Sequence, residues 1–257
     1  MSLSVKKLES RILGKTMNIA VFCPYGYENT ELPVLYFLNG RSGDESLLEK
    51  LAIDQTANEL CGSGIIKPFV IVCPNLDNSR GINSADTYCE IDGKHGTIHK
   101  GRYEDYLIQE VIPYIDNTFF TDKTRSGRYI GGISSGGYTA LHIGLRHSSL
   151  FSKIGGHMPA IDLSYADEDE AYFADEAMWL KYDPVSIAET GSFENIKVYL
   201  DDGKDDEGRF YRACEKLYAI LRSKSTDVQY HLFEGHHDRN YVLSNLEKYL
   251  LYYGRDI

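Results

Sequence analysis

Two stretches of this chain, Pro33-Val34-Leu35-Tyr36-Phe37-Leu38 and Phe69-Val70-Ile71-Val72-Cys73-Pro74, are of strand length and apolar throughout. A strand with one wet face alternates apolar and polar residues. A continuous apolar run must be covered on both faces, as happens in largely parallel sheets sandwiched between helices. Further strand-like runs fall at Met17–Pro24, Arg128–Gly131, Phe151–Gly156, Lys197–Leu200 and Val228–Phe233. Between them lie segments with helical spacing: Glu45–Leu60, Tyr103–Phe120, Tyr138–His147, Phe210–Arg222 and Tyr241–Tyr253. Pro113 lies inside the second of these, so it kinks that helix or sits near an end. Strands alternating with helices specify an α/β fold with a mostly parallel central sheet and helices on both faces. With 257 residues and no repeat, low-complexity tract or linker, residues 1–257 are expected to form one domain.

Composition narrows the partners. The formal net charge of −11 argues against nucleic acid and against anionic membrane surfaces, and its simplest effect is solubility. The five cysteines (Cys23, Cys61, Cys73, Cys89, Cys214) are widely spaced with no Cys-x-x-Cys, so a reducing compartment is expected rather than disulfides. Met1–Leu8 has no apolar stretch of signal-peptide length, and no window approaches the ~18 apolar residues of a membrane span. The chain reads as soluble and cytoplasmic, and a homo-oligomer is compatible with this sequence. One segment stands apart. Asn75–Lys100 is polar and aperiodic and, at about 25 residues, exceeds the usual loop length, which suggests a functional loop or an excursion over a site. Asn75–Lys100 and the acidic stretch Asp167–Glu170 are both candidates for a lid, with plain surface excursion the favoured reading of the acidic one.

Chemistry enters at Gly132-Ile133-Ser134-Ser135-Gly136. This Gly-x-Ser-x-Gly lies between a strand and a helix, the context that turns a serine into a nucleophile. The turn is so sharp that flanking side chains would collide; glycine on both sides removes the clash and leaves Ser134 exposed. The following helix aims its N-terminal N–H groups at the same spot and favours negative charge there. A serine hydroxyl barely ionises at neutral pH, so it needs an imidazole to take its proton and a carboxylate to steady the imidazolium. Two downstream clusters supply these groups, each after an apolar strand and before a helix: Asp201, Asp202, Asp205 and Asp206, then His236 and His237. One of the adjacent histidines can face the serine. At least two of the aspartates are expected to be solvated loop carboxylates. His236-His237-Asp238 is a poor metal set, because adjacent residues make poor paired ligands. Two backbone N–H groups are expected to hold an oxyanion. One is that of Ser135, and the other is that of Arg41, in the glycine-bearing loop after the Val34–Leu38 strand. The order Ser, Asp, His along the chain is that of α/β-hydrolases. Tyr25, Tyr27, Tyr88, Met158 and Trp179 are candidates to line a substrate pocket.

Five segments carry a closer likeness: Pro33–Gly40, Tyr103–Ile115, Gly131–Leu141, Gly203-Lys204-Asp205-Asp206 and Gly235-His236-His237-Asp238, which together span Leu32–Tyr253. On these residues the chain resembles the esterase D-like group of α/β-hydrolases. That group includes feruloyl, acetyl-xylan and tributyrin esterases, enterochelin esterase-like enzymes and mycolyltransferases. The resemblance implies the α/β-hydrolase fold. Its Gly-x-x-Asp element implies Asp206 as the acid, and its Gly-x-His-Asp element implies His237 as the base. Asn39-Gly40 looks like the family's His-Gly, which supports the Arg41 N–H as oxyanion donor. The implied activity is that of a serine carboxylic-ester hydrolase working through an acyl-enzyme, without cofactor or metal. Its substrate would be a small-molecule or carbohydrate-linked ester of a small acyl or aryl acid of the acetyl or feruloyl type. The alternatives are acyl transfer to an acceptor other than water and a non-catalytic binding module that kept the fold. Two residues depart from the pattern. Asn39 replaces histidine, a tolerable change for a backbone device. Arg239 stands where many members have an aromatic residue, so part of the acyl or aryl pocket is expected to differ.

Overall fold

A computed structural model describes residues 3–255. The strands are β1 (Leu3–Ser10), β2 (Lys15–Phe22), β3 (Val34–Leu38), β4 (Val70–Pro74), β5 (Cys89–Gly93), β6 (Gly96–Lys100), β7 (Arg128–Ile133), β8 (Lys153–His157), β9 (Lys197–Gly203) and β10 (Asp227–Phe233). Among the described residues, eight of them form one sheet in the order β1-β2-β4-β3-β7-β8-β9-β10. The first two pairings are antiparallel and the remainder parallel. Helices α1 (Leu47–Lys50), α2 (Ile53–Gly62), α3 (Tyr103–Asp105), α4 (Ile112–Thr118), α5 (Ser135–Arg146), α6 (Glu176–Tyr182), α7 (Pro184–Thr190), α8 (Tyr211–Ser223) and α9 (Arg239–Gly254) cover the two faces.

The apolar runs behave as their composition requires. Alternate residues of β3 point into different cores. Val34, Tyr36 and Leu38 pack with Tyr106, Leu107, Tyr138, Leu141 and Leu217, while Leu35 and Phe37 pack with Ile53, Leu60, Tyr249 and Leu250. Each such side chain taken fully out of water contributes about 1.5–3 kcal/mol. The register sets Leu38 opposite Gly132, Ile133 opposite His157, His157 opposite Asp201, and Gly203 opposite Phe233. The loops after β3, β7, β8, β9 and β10 therefore leave the sheet at one edge, where such sheets place their chemistry.

Several elements differ from the sequence expectation. Glu45–Leu60 is two helices, because Ala52 adopts φ +52° between α1 and α2. The segment Asn75–Lys100 contains the β5–β6 hairpin. Between α3 and α4 the chain runs as a π-helix, Tyr106–Val111, and Pro113 falls in the first turn of α4, where its missing N–H costs least. β1 was not evident from the sequence. It is an antiparallel edge strand with weak apolar alternation, and Val5 on it is exposed.

Candidate active site

Ser134 sits between β7 and α5 with φ +53° and ψ −120°, a conformation that costs a non-glycine residue on the order of 1–3 kcal/mol. Its backbone is fastened on both sides. The Ser134 N–H donates to the His157 carbonyl at 3.0 Å, and the Ser134 carbonyl accepts from the N–H groups of Tyr138 and Ala160, each at 3.0 Å. The flanking glycines are steric necessities. A Cβ on Gly132 would lie 2.5 Å from the Gly136 backbone, and one on Gly136 would meet the Leu38 and Asn39 carbonyls. The same closeness brings the loop after β3 to the elbow, with Gly40 beside Ser134.

The acid and base loops are tied together. The Lys204 N–H donates to the Phe233 carbonyl at 2.8 Å and the Asp205 N–H to the Gly235 carbonyl at 3.0 Å. His237 Nε2 lies 2.8 Å from Ser134 Oγ, and the edge of the Phe210 ring packs on the imidazole. Asp206 Oδ2 stands 3.5 Å from His237 Nδ1, a close approach rather than an aligned hydrogen bond. Asp206 also accepts from the N–H groups of Gly208 (2.8 Å) and Phe210 (3.3 Å). Burial alone would raise its carboxyl; the His237 ring and those two N–H groups overcome burial and hold it below the usual carboxylate range. His236 turns away. Its Nδ1 contacts the Asp205 carbonyl and Glu207, at the surface. Asp238 caps α9 by accepting from the Tyr241 N–H at 2.9 Å.

Ser134 and His237 open onto a cleft of about 280 Å³ lined also by Arg41, Ser135, Arg80, His95, Ala160, Glu168 and Phe210. Ser135 opens α5, so its N–H belongs to the turn that lacks intrahelical acceptors. A second compartment of about 380 Å³ shares Arg41, His95 and Glu168 and runs on between the hairpin tip, Asp92–His95, and the acidic loop, Asp167–Tyr172. His95 Nε2 lies 3.5 Å from Glu168 Oε2, joining the two walls. Arg80 is buried, pairs with Asp169 at 3.2 Å, and is stacked against Tyr138 and Tyr172. Burial pushes the nearby Asp162 carboxyl up to about 6, with Arg80 opposing and Asp169 reinforcing the rise. Among the described residues, no cluster of His, Cys, Asp or Glu is arranged to hold a metal ion.

Over residues 10–252 the chain matches the family Esterase, described as "Putative esterase". It belongs to this esterase family. It is accordingly a carboxylic ester hydrolase. Solved structures with the same fold include a ferulic acid esterase, 21% identical over 99% of this chain and 98% of that one, with a TM-score of 0.83. The fluorophosphonate-binding serine hydrolase F of Staphylococcus aureus is 21% identical over 99% of both chains, with a TM-score of 0.78. An S-formylglutathione hydrolase of Agrobacterium tumefaciens is 22% identical over 98% of this chain and 94% of that one, with a TM-score of 0.77. The fold of the esterase is that of the α/β-hydrolases.

Several sequence expectations are corrected in the esterase. Of the four aspartates, only Asp205 is an exposed loop carboxylate. β9 continues through Asp201 and Asp202, and both are fully buried. Burial pushes the Asp202 carboxyl well above its usual range. The acidic stretch is not plain surface, since Asp169 is buried against Arg80 and Glu168 lines the Ser134 cleft. The five pocket candidates do not line that cleft. Tyr25 is exposed, Tyr27 and Tyr88 pack from the side of the core, and Met158 and Trp179 are buried within it. Arg239, which replaces the aromatic residue of the pattern, donates to the Lys50 carbonyl at 2.8 Å and does not line the cleft, so no aromatic ring stands there from this position. The residues overlooked were Arg80, His95, Ala160, Glu168 and Phe210. The available signal was position: Ala160 and Phe210 follow β8 and β9, beyond the carboxyl ends of parallel strands. No helix among the described residues is long and apolar enough to cross a membrane.

Proposed function

We propose that the esterase is a serine hydrolase of one α/β-hydrolase domain, residues 1–257, with Ser134 as nucleophile, His237 as base and Asp206 as the orienting acid. The observation that carries this reading is the 2.8 Å contact between His237 Nε2 and Ser134 Oγ at the mouth of a cleft. His237 takes the hydroxyl proton as Ser134 Oγ bonds to the ester carbonyl carbon. The negative charge moves to the carbonyl oxygen, where the N–H groups of Arg41 and Ser135 receive it, each worth about 3 kcal/mol in the transition state. The C–O bond to the alcohol breaks, and the proton on His237 leaves with the alcohol. Water then gives a proton to His237 and its oxygen to the acyl carbon; the bond from that carbon to Ser134 Oγ breaks, His237 returns the proton to Oγ, and the acid leaves. Asp206, held ionised by its donors, steadies the imidazolium in both halves.

The substrate is read as a small acyl or aryl ester. The space beside Ser134 is modest and bounded by Ala160 and Phe210, and the polar second compartment suits an alcohol portion bearing hydroxyl or charged groups. The fold shared with a ferulic acid esterase is consistent with an aryl acid. The test is Ser134→Ala assayed on p-nitrophenyl acetate and methyl ferulate. Turnover should fall by at least about 10⁴-fold in a folded protein. Retained turnover would remove Ser134 from the mechanism.

A further inference from the structure

Beneath the elbow lies a second Asp–His pair, fully buried and not among the residues that line the cleft. His157 Nδ1 is 3.0 Å from Asp201 Oδ1, and both side chains are 0% exposed. Three hydroxyls from one face of α9 complete the cluster, at positions 241, 249 and 253. Tyr241 and Tyr249 donate to Asp201 Oδ2 at 2.6 and 3.0 Å, and Tyr253 Oη lies 3.0 Å from His157 Nε2. Burial, then the Asp201 charge, keep the Tyr241 and Tyr249 hydroxyls protonated. His157 thus meets the Asp201 carboxyl group through Nδ1 and the Tyr253 hydroxyl through Nε2. Every polar atom of the cluster then has a partner. The sheet is cut to fit it: a Cβ on Gly131 or on Gly155 would overlap Tyr253 Oη.

The backbone of these same residues holds Ser134. His157 ends β8, and its carbonyl accepts the Ser134 N–H. The Met158 N–H donates to the Asp201 carbonyl at 2.8 Å, with Met158 at φ +39°. Two residues on, the Ala160 N–H grips the Ser134 carbonyl. The strained turn at Ser134 is thus pinned by the exit of β8, and that exit is pinned by the buried side chains.

We propose that Asp201, His157 and Tyr253 are positioning residues for the hydrolysis, acting through the His157–Ala160 backbone to fix where Ser134 Oγ stands. The inference rests on Ser134 being the nucleophile. Displacement of a reacting atom by a fraction of an ångström lowers the rate of attack with little effect on substrate binding.

The experiment compares wild type with Tyr253→Phe, His157→Asn and His157→Phe at a temperature where each is folded by circular dichroism. The readouts are kcat and KM for p-nitrophenyl acetate and the second-order rate of fluorophosphonate labelling. Tyr253→Phe and His157→Phe should lose roughly 10- to 100-fold in kcat and in labelling rate, with KM within about twofold. His157→Asn keeps an N–H where Nδ1 stands and should retain more of both than His157→Phe. Labelling and kcat at wild-type levels in Tyr253→Phe, with only a lowered melting temperature, would overturn the proposal and leave a purely structural cluster. Equal losses in His157→Asn and His157→Phe would also overturn it. If His157→Phe does not fold, the other two variants decide. Failure of wild-type Ser134 to be labelled at all would strike the nucleophile assignment instead, so the two failures are distinct.

Discussion

The esterase contains two chains of the form Asp–His–hydroxyl, both built on the end of β9. In one, Asp206 approaches His237 at 3.5 Å and His237 meets the Ser134 hydroxyl at 2.8 Å. In the other, Asp201 meets His157 at 3.0 Å and His157 meets the Tyr253 hydroxyl at 3.0 Å. Residue types are nearly the same and the aspartates are neighbours in sequence. The surroundings separate them. The His237 ring is 19% exposed, lies on a loop, and its Nδ1 is not yet aligned with the carboxylate. The His157 ring is sealed, stacked on Tyr249 at 3.8 Å between ring centres, and saturated with partners. A group that must pass a proton to a substrate needs access and slack. A group that must hold a backbone in place needs neither.

The largest expected effect separates the two pairs. His237→Ala should lower kcat by about 10⁴- to 10⁶-fold while shifting stability by no more than about 1 kcal/mol. His157→Phe should do the reverse in emphasis, costing about 3 kcal/mol of unfolding free energy by leaving Asp201 short of a partner. Urea titrations alongside p-nitrophenyl acetate kinetics measure both. A His157 variant as inactive as His237→Ala would erase the distinction.

A smaller effect tests how tightly the buried pair is fitted. Gly131→Ala should cost about 1–3 kcal/mol, because its methyl group meets the Tyr253 hydroxyl. In a Tyr253→Phe background part of that cost should disappear, giving a coupling of at least about 0.5 kcal/mol in a double-mutant cycle. Simple additivity would mean that the glycine serves another purpose.

A third histidine separates burial from pairing. His142 is 0% exposed, as His157 is, but only its Nε2 is engaged, donating to the Arg80 carbonyl at 3.1 Å. Burial, with Glu104 opposing, pushes its pKa down to about 4 from the usual 6.5. Below 6.5 the unfolded chain takes up a proton that the folded ring refuses, so this group withdraws stability as pH falls toward about 4. The urea midpoint should therefore drop between pH 6.5 and 4.5, and drop less steeply in His142→Phe. An unchanged slope in the variant would assign the acid sensitivity elsewhere.

Much of this architecture was written plainly in the chain. The apolar runs of β3 and β4 required a covered parallel sheet, and Gly132 and Gly136 announced a turn too tight for side chains. The order of serine, aspartate and histidine pointed to the cleft. The buried pair was not legible, because polar residues at the end of a strand read as the start of a loop. Asp201 and Asp202 lie inside β9, opposite His231 and Leu232 of β10, and α9, some forty residues further on, supplies hydroxyls to Asp201. The hairpin β5–β6 was hidden for a related reason. Half of its residues are exposed, so no burial pattern marks them; only Ile98 is buried, with Ile91 packed beside it against the core. Glu168 and Asp169 looked like surface charge because their partners, His95 and Arg80, are remote in sequence.

The most direct measurement is the site of covalent labelling. The esterase would be treated with a fluorophosphonate, digested and mapped by mass spectrometry. A single adduct on Ser134, absent from Ser134→Ala and strongly slowed in His237→Ala, is the expected result. An adduct on another residue, or labelling of Ser134 that proceeds equally fast without His237, would contradict the assignment of nucleophile and base.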